Sequence, residues 1–447
     1  MKRKRFELSN VQIIALGFLL LILFGTGLLM LPFSSAAGET TSLYQALFTA
    51  VSASCVTGLV VVDTATHWSV LGQLVILFMI QTGGLGFVSI ATVFLSFARK
   101  NLGLRSRSLM AESINTERIA GLRGFVKRII LGTVLIEGAG ALILLQPFVP
   151  VFGWRRGIYY AVFHSVSAFC NAGFDLMGAK YGPFSSFVSF TGSLPLNITF
   201  ILLITVGGIG FFVWEDVCRY RFRFRRYSLT SKIVIVTSLI LTFGGAVLFY
   251  LFEAGHTLKD LPTGEKIVAA LFQSVTCRTA GFNTADLERL TDPSILLSSL
   301  LMLIGGSPGS TAGGIKTTTI AVIYIFLFSS MRRHRTADVF RRSLPDTAIK
   351  KATGVAVFNL SLILLASLVL SAQGDLGLRD VLFEAFSAMG TVGMSTGITR
   401  SLTVFSGSAI MMLMFCGRVG SITLATAILE RRAPPAVRLP QEDVTIG

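Results

Sequence analysis

The chain has 447 residues, of which 52% are hydrophobic and only 14% charged, and its mean hydropathy is +0.72. Soluble domains carry about 25% charged residues. In this chain, apolar runs of 18 or more residues, long enough to cross a bilayer, recur instead. The composition excludes a soluble protein and indicates one that crosses the membrane several times. A membrane-embedded enzyme would need clustered acids or His, and the four His are not spaced as metal ligands.

The net charge of +16 follows the expected topology and does not indicate a nucleic-acid partner. Of the 39 Lys and Arg residues, 28 fall in five segments that are separated by two predicted crossings each. These segments are 2–5, 99–128, 219–232, 332–351 and the tail after residue 429. Such an excess marks the cytoplasmic side, so both termini are predicted to be cytoplasmic. Anionic membrane lipid would attract the same residues, and an acidic partner protein would be able to dock on them.

The predicted elements repeat one unit four times along the chain. Each unit has an outer spanning helix, an apolar segment too short to span, and an inner spanning helix. The outer helices are predicted at 11–33, 126–149, 230–252 and 351–372. The half-length segments are predicted at 42–53, 157–169, 264–276 and 378–389. The inner helices are predicted at 68–98, 189–214, 294–328 and 404–429.

This repeat predicts an all-helical, multi-pass membrane protein in which four modules surround one central axis with pseudo-fourfold symmetry. Each half-length segment would enter the membrane as a re-entrant helix and return, which gives eight crossings and four re-entrant loops. The modules are assigned to residues 1–98, 99–218, 219–330 and 331–447, the last with a C-terminal tail.

A short glycine stretch follows each half-length segment. The four versions read SASCVTG, SAFCNAG, VTCRTAG and SAMGTVG, and their final glycines are 115, 108 and 112 positions apart. Unpaired backbone at this depth is tolerated only where it lines protein or water. Four such loops would make a ring of carbonyl oxygens that replaces the hydration shell of a monovalent cation. Close helix packing by small residues is the alternative. The candidate ion-binding residues are Val56, Thr57, Gly58, Asn171, Ala172, Gly173, Thr279, Ala280, Gly281, Thr391, Val392 and Gly393.

The loops on the same side as the glycine stretches are mildly acidic. Their acids include Glu39, Asp63, Asp175, Asp286 and Asp375. A negative outer vestibule would concentrate cations, although ordinary solvation of loops explains the same residues.

The third inner helix contains a run of ten residues, 305–314, with five Gly and one Pro. An α-helix cannot continue through such a run, so a break is predicted in mid-membrane. A polar loop at that depth would be able to block or open an ion path, whereas a kink for packing is the alternative. The nucleotide-binding pattern GxxxxGK[ST] fails, because Ile315 separates the last glycine from Lys316. The candidate gate residues are Gly305, Gly306, Ser307, Pro308, Gly309, Ser310, Thr311, Ala312, Gly313, Gly314, Lys316 and Arg418.

Arg418 lies in an apolar run of the fourth inner helix, where a charge is costly and by default faces the bundle interior or water. On the central axis it would repel a cation unless an acid neutralised it, and a structural salt bridge is the alternative. Glu137 and Glu384 are the two buried acids that are candidates for this partner. Arg278, in the third glycine stretch, is expected to brace that stretch from behind.

These features together resemble the Trk/Ktr/HKT superfamily of potassium transporters. The resemblance covers nearly the whole chain and includes the phrases VTGL, NAGF, RTAGFN and GTVG, the broken third inner helix and the arginine in the fourth. With eight predicted crossings and no additional N-terminal pair of helices, the chain resembles the KtrB type of ion-conducting subunit more than the longer TrkH type.

The resemblance implies potassium uptake across a bacterial plasma membrane and a homodimer with one pore per subunit. It also implies a cytoplasmic ring of a KtrA-like regulatory subunit, which binds ATP or ADP that this chain does not bind. Potassium would be the substrate, sodium stimulates many such systems, and no covalent cofactor is expected. A sodium-selective or sodium-coupled carrier of the same fold is the alternative. In some plant relatives a serine replaces the first filter glycine and sodium passes, so Gly58 favours potassium.

By the same resemblance, Gly58, Gly173, Gly281 and Gly393 are filter glycines, the loop 305–314 with Lys316 is an intramembrane gate, and Arg418 is a barrier in the pore. One departure is the third stretch. Phe272 precedes its glycine by nine positions, while the equivalent offset is ten elsewhere, which indicates a local deletion that leaves the carbonyl ring intact.

Overall fold

A computed structural model describes residues 9–86, 122–334 and 336–420. The described residues form a helical membrane protein with one short hairpin, so the predicted fold class is confirmed. The outer helices are Asn10–Leu29, the first part of Leu122–Phe169, Leu229–Glu253 and Asp346–Ser371. All four are long and apolar enough to cross a membrane. Leu142 and Leu368, each 70% exposed, belong to the apolar surface that a bilayer would cover.

Four half-helices follow the outer helices. The first, third and fourth are Leu43–Cys55, Thr263–Thr276 and Leu378–Gly390. The second is the C-terminal part of Leu122–Phe169, after a kink at Gly153, where φ is 75°. Each ends within two residues of its predicted end. One fully buried phenylalanine anchors each of them in the core, and these are Phe48, Phe163, Phe272 and Phe383.

The half-helices are held between helices of two successive modules. Each packs against the outer helix of its own module and against the inner helix of the module before it. The first half-helix, Leu43–Cys55, packs in the same way against the last inner helix, Val404–Val419. The fourth module therefore closes on the first, and the four C-terminal ends of the half-helices point into one enclosed centre.

The inner helices differ from the predicted ones in their bounds and in their breaks. They are Val70–Leu85, Leu194–Gly208 with Phe211–Tyr220, Asp292–Leu303 with Thr317–Met331, and Val404–Val419. The expectation that only the third would be broken is wrong. The second bends by 95° between its two parts. The first and fourth end at Leu85 and Val419, and their predicted continuations, 87–98 and 421–429, lie outside the described residues.

Glycine is the physical reason for these helix ends. A glycine with positive φ follows the end of each inner helix or closes its break, with φ of 84° at Gly86, 98° at Gly210, 66° at Gly314 and 96° at Gly420. A glycine pair inside an apolar helix weakens it, and the freed backbone groups find partners inside the bundle rather than in lipid.

The remaining elements are short connections. The helical ones are Thr64–His67, Gly178–Tyr181, Pro32–Ser34, Val188–Phe190, Phe224–Arg226, Leu287–Arg289 and Ile398–Ser401. Strands Asp338–Val339 and Arg342–Ser343 form an antiparallel hairpin within the basic segment that joins the third and fourth modules. The basic segment 2–5, most of 99–128 and the tail after 429 lie outside the described residues.

Candidate ion-conducting site

The four predicted glycines meet at the centre of the bundle and form what we call the glycine ring: Gly58, Gly173, Gly281 and Gly393. A Cβ atom added to any one of them would lie less than 3.0 Å from a carbonyl oxygen of the next loop. The carbonyls met in this way belong, in ring order, to Ala172, Ala280, Val392 and Thr57. The loops therefore follow one another around the axis in chain order, with the fourth against the first. No side chain fits between them.

The backbone of the four loops is turned in the same way. The residue two positions before each ring glycine has left-handed φ, with values of 57°, 60°, 73° and 52° for Val56, Asn171, Thr279 and Thr391. The ring glycines themselves have φ of 95°, 70°, 81° and 94°. A non-glycine residue with positive φ is uncommon, so the same strain at four equivalent positions indicates one built site. Peptide groups in such loops leave carbonyl oxygens free for a cation.

A cavity of about 530 Å³ opens onto the ring, and all four ring glycines line it. The charged residues in its lining are Asp63, Asp175, Asp286, Glu288 and Arg400. Three of the five acids predicted for this side, Asp63, Asp175 and Asp286, are thus brought together, whereas Glu39 and Asp375 are not part of the lining. Four carboxylates against one guanidinium give this vestibule an excess of negative charge, and a cleft of one sign concentrates ions of the opposite sign.

Asp175 lies on the loop that leaves the second ring glycine. The pKa of its carboxyl group is raised to about 7. Burial is the main cause and the neighbouring carboxylate of Asp63 adds to it, whereas a hydrogen bond from the Met177 amide acts in the opposite direction. This hydrogen bond is 2.9 Å long and ends on Oδ1 of Asp175. The charge of the vestibule therefore changes close to neutral pH.

The broken segment of the third inner helix, residues 305–316, is called the intramembrane loop here. Its backbone is bonded to the second module. The amides of Ser307 and Thr311 donate to the carbonyls of Gly208 and Gly207, at 3.0 and 3.2 Å, and the carbonyl of Gly309 accepts from the Phe211 amide at 2.7 Å. These partners are the groups that the break at Gly210 leaves free. The loop and the second inner helix thus satisfy each other's backbone groups.

The intramembrane loop also contacts the fourth module, directly beneath the ring. The amide of Gly314 donates to the carbonyl of Gly417 at 3.2 Å. A Cβ atom on Gly313 would collide with the side chain of Thr391, and one on Gly314 would lie 3.1 Å from the carbonyl oxygen of Gly390. The loop, which belongs to the third module, therefore contacts both of the modules that flank it, the second and the fourth.

Two cations hold this arrangement. Lys316 Nζ donates to the carbonyl of Ala312 at 2.8 Å and lies 3.4 Å from that of Gly313. Arg418 donates through Nη1 to the carbonyl of Thr311, and through Nη2 to the carbonyls of Gly83 and of Gly84, the latter at 2.9 Å. Arg418, on the fourth inner helix, therefore joins the intramembrane loop of the third module to the end of the first inner helix.

No ion pair joins Arg418 to an acid in the described part of the chain, so neither candidate acid, Glu137 nor Glu384, is its partner. Oε2 of Glu137 accepts from Gln81 at 3.3 Å. The carboxylate of Glu384 accepts from Ser395 at 2.8 Å and from Thr399. The physical reason is that helix ends expose carbonyl oxygens, which carry partial negative charge and match the donors of a guanidinium.

Arg278 points away from the ring, as predicted. Its guanidinium donates to the carbonyl and hydroxyl of Ser238, at 3.3 and 3.1 Å, and to the hydroxyl of Thr242 at 3.2 Å, all on the third outer helix. The five cysteines are free thiols; Cys55, Cys170, Cys277 and Cys416 are buried, and Cys218 is exposed.

Some functional groups were not predicted from the sequence. The carbonyls of Gly207, Gly208 and Gly417 accept from the intramembrane loop, and those of Gly83 and Gly84 accept from Arg418. The signal was present as a glycine cluster in every inner helix, GGLG, GGIG and GRVG beside the longer run in the third. All four clusters coincide with helix ends or breaks, where carbonyl groups become free.

Four re-entrant half-helices around a glycine ring, beneath an acidic vestibule, define a membrane cation transporter with a channel-like architecture. Residues 9–433 match the family described as "TrkH: Cation transport protein", and the chain belongs to this family. The resemblance inferred from the sequence is confirmed, and the family is one of transporters rather than enzymes.

Known proteins are similar over the whole length of the chain. The potassium/sodium uptake protein NtpJ of Enterococcus hirae is 39% identical and covers 100% of this chain and 99% of its own length. The Ktr system potassium uptake protein B of Bacillus subtilis is 38% identical, with 98% and 96% covered. The crystal structure of the potassium transporter TrkH from Vibrio parahaemolyticus matches with a TM-score of 0.73 at 18% identity, covering 96% of this chain and 86% of that one. The last likeness concerns the fold alone.

Proposed function

We propose that the chain takes up potassium ions across the plasma membrane of a bacterium, with the glycine ring as its selectivity filter. The observation that carries this proposal is the ring itself, where four loops with the same strained backbone meet and open onto an acid-lined cavity. The candidate ligands are the backbone oxygens of the four three-residue stretches 56–58, 171–173, 279–281 and 391–393. Carbonyl oxygens at such a ring substitute for the water around a potassium ion.

The half-helices add to this site electrostatically. Each directs its C-terminal end, the negative pole of its dipole, toward the ring. A desolvated monovalent cation is stabilised there without a fixed carboxylate, so it is able to leave again. Conduction requires binding that is favourable and yet weak.

The intramembrane loop is proposed as the gate. It lies below the ring and is bonded to the second and fourth modules, and Arg418 joins it to the first. Ions that pass the ring would meet this loop next, together with the charges of Lys316 and Arg418. An open pore would require several of these bonds to break, and a cytoplasmic regulator could supply the necessary energy.

The chain is proposed to act with partners and in a fixed orientation. The name "Ktr system" of its Bacillus subtilis relative supports a system of several components, with a cytoplasmic, nucleotide-binding regulatory ring on a homodimer of this chain. The basic segments, including 219–232 and 332–351, would face the cytoplasm and anionic lipid. The four-module division and the cytoplasmic termini belong to the same proposal.

A second candidate function is sodium-selective or sodium-coupled transport. It is favoured by the relative NtpJ, which is named a potassium/sodium uptake protein. A ring with one glycine per loop also presents fewer stacked ion sites than the longer filter of potassium channels. Sodium could alternatively act as an activator.

Uptake of labelled potassium and sodium decides between the two functions. The measurement uses a bacterial strain that lacks its own potassium uptake systems, with and without a candidate regulatory subunit. We expect potassium uptake to exceed sodium uptake at equal concentrations and to restore growth at low potassium. Preferential sodium uptake would establish the second function, and absence of both fluxes with folded protein in the membrane would contradict the first.

A further inference from the structure

Each half-helix carries a hydroxyl residue in its last turn. The four residues are Ser52, Ser167, Thr276 and Ser387, and all are fully buried. Their carbonyl oxygens have one common role, since each accepts a hydrogen bond from an amide just before a ring glycine. The donors are Thr57, Ala172, Ala280 and Val392, at 2.8, 2.8, 2.9 and 2.9 Å. These backbone bonds make the four positions structurally equivalent.

The hydroxyl groups of the four residues, in contrast, have two different roles. In the first and fourth loops, the hydroxyl accepts from the amide of the ring glycine, at 3.0 Å between Ser52 and Gly58 and at 3.1 Å between Ser387 and Gly393. In the second and third loops, it donates to the carbonyl of the residue after the ring glycine. These bonds join Ser167 to Phe174 at 2.8 Å and Thr276 to Phe282 at 2.6 Å.

The planarity of the peptide bond gives this difference a consequence for the ring. In a trans peptide the N–H and the preceding C=O point in opposite directions. When Ser52 holds the Gly58 amide outward, the carbonyl of Thr57 is directed inward. That oxygen is the one that a Cβ atom on Gly393 would meet in the neighbouring loop. The carbonyls of Ala172 and Ala280 take the same position, although no hydroxyl holds the amide that follows them.

The fourth loop repeats this arrangement. Ser387 holds the Gly393 amide, and the carbonyl of Val392 is the one that a Cβ atom on Gly281 would meet. In the second and third loops the hydroxyl instead holds a carbonyl beyond the ring, and holds it away from the axis. Phe174 and Phe282 therefore cannot turn these oxygens to a passing ion while the bond lasts.

We propose that Ser52 and Ser387 are positioning residues that determine ion selectivity by fixing the carbonyls of Thr57 and Val392. Ser167 and Thr276 hold the outer rim of the other two loops. The first and fourth loops, which are neighbours in the ring, are thus held in one way, and the second and third loops are held in another. The ring therefore lacks exact fourfold symmetry. This inference rests on the proposed role of the ring as a potassium filter.

The test compares equivalent serines whose hydroxyl groups have different hydrogen-bond roles. The variants Ser387→Ala and Ser52→Ala remove the hydroxyl that fixes a ring carbonyl, whereas Ser167→Ala removes the same group where it holds the rim. The ratio of potassium to sodium uptake is measured for each, together with the amount of folded protein by size-exclusion chromatography.

We expect the ratio to fall by about three- to tenfold in Ser387→Ala and Ser52→Ala, which is the effect of one lost buried hydrogen bond. The ratio should fall less in Ser167→Ala than in these two variants, because that change releases only the Phe174 oxygen and leaves the bonds of Ser52 and Ser387 to the ring intact. Ser387→Thr keeps the hydroxyl and should keep the ratio, since a threonine already occupies the equivalent position 276.

Two results would overturn the inference: an unchanged ratio in both Ser387→Ala and Ser52→Ala, or an equal fall in Ser167→Ala. If one of the two alanine variants does not fold, the other is compared with Ser387→Thr. An equally low ratio in these two proteins would also contradict the inference, because the threonine keeps the hydroxyl. Failure of the proposed function is seen separately, because the unsubstituted protein would then show no preference for potassium at all.

Discussion

The hydroxyl of Thr311 donates a 3.0 Å hydrogen bond to the carbonyl of Phe169, the last residue of the second half-helix. The intramembrane loop is therefore bonded to the same half-helix whose end points at the ring. The opening movement proposed for the loop would break this bond and leave a half-helix carbonyl without its partner.

Substitution of Thr311 by Val should loosen the loop. Because the change removes one buried hydrogen bond, we expect potassium uptake to increase by about two- to fivefold. The control is Ser310→Ala, which removes a hydroxyl that bonds within the loop, to the carbonyl of Ser307 at 2.7 Å. An equal increase in both variants, or none in Thr311→Val, would contradict the proposed gate.

Substitution of Gly393 or Gly58 by Ser should lower the preference for potassium. Both glycines have φ above 90°, and an added Cβ would collide with a carbonyl of the neighbouring loop. We expect the potassium-to-sodium uptake ratio to fall by at least about tenfold, because backbone strain of this kind costs about 1–3 kcal/mol. Gly138→Ser, where nothing lies within 4 Å of the added Cβ, is the control. An unchanged ratio in the ring variants would exclude the ring as the filter.

Substitution of Arg418 separates a charge barrier from a hydrogen-bonded clamp. Lys keeps the charge but lacks the planar fork that lets Arg reach carbonyls of two elements. We expect uptake to rise by about fivefold or more in both Arg418→Lys and Arg418→Gln, since the loop loses bonds to charged donors in each. A rise in Arg418→Gln alone would instead identify a barrier of charge. Arg128→Lys, at an exposed ion pair with Glu215, should leave uptake unchanged.

Uptake should depend on the pH of the vestibule side. The pKa of Asp175 is raised to about 7, so its carboxyl group is mostly neutral at pH 6 and mostly ionised at pH 8. The charged residues that share this cavity are Asp63, Asp286, Glu288 and Arg400. A more negative cavity attracts cations faster, so we expect potassium uptake to rise by about two- to fivefold from pH 6 to pH 8.

The variant Asp175→Asn tests the assignment of this pH dependence. Its uptake should stay near the value of the unsubstituted protein at pH 6 throughout the range. Asp375→Asn removes an acid that is exposed and does not line the cavity, and it should retain the rise. A persistent rise in Asp175→Asn would show that another group titrates.

The half-helices could be predicted because their cause is local. An apolar segment of 10–14 residues that ends in glycine is too short to cross the membrane, so a re-entrant helix is the structure it favours. Their predicted C-terminal ends, for example Phe169 and Thr276, coincide with or lie within two residues of the observed ones. The four-module repeat reinforced each assignment.

The contacts around Arg418 could not be predicted, because its partners are backbone oxygens. A sequence displays acids such as Glu137 and Glu384 but does not display which carbonyls a broken helix exposes. The breaks at Gly86 and Gly210 were missed for a related reason, since hydropathy remains high through them. The equivalence of Thr276 with Ser52 was hidden because the third loop is one residue shorter, so alignment on the ring glycine pairs Ser52 with Val275.

That shorter third loop has an evolutionary consequence. In a pore assembled from four identical subunits, every deletion is present in all four subunits. A deletion that one loop would tolerate then distorts all four loops of the filter. Here a single polypeptide supplies each quarter, so the segment from Phe272 to Gly281 was free to lose a residue on its own. Each module of such a pore is able to diverge in sequence independently of the other three.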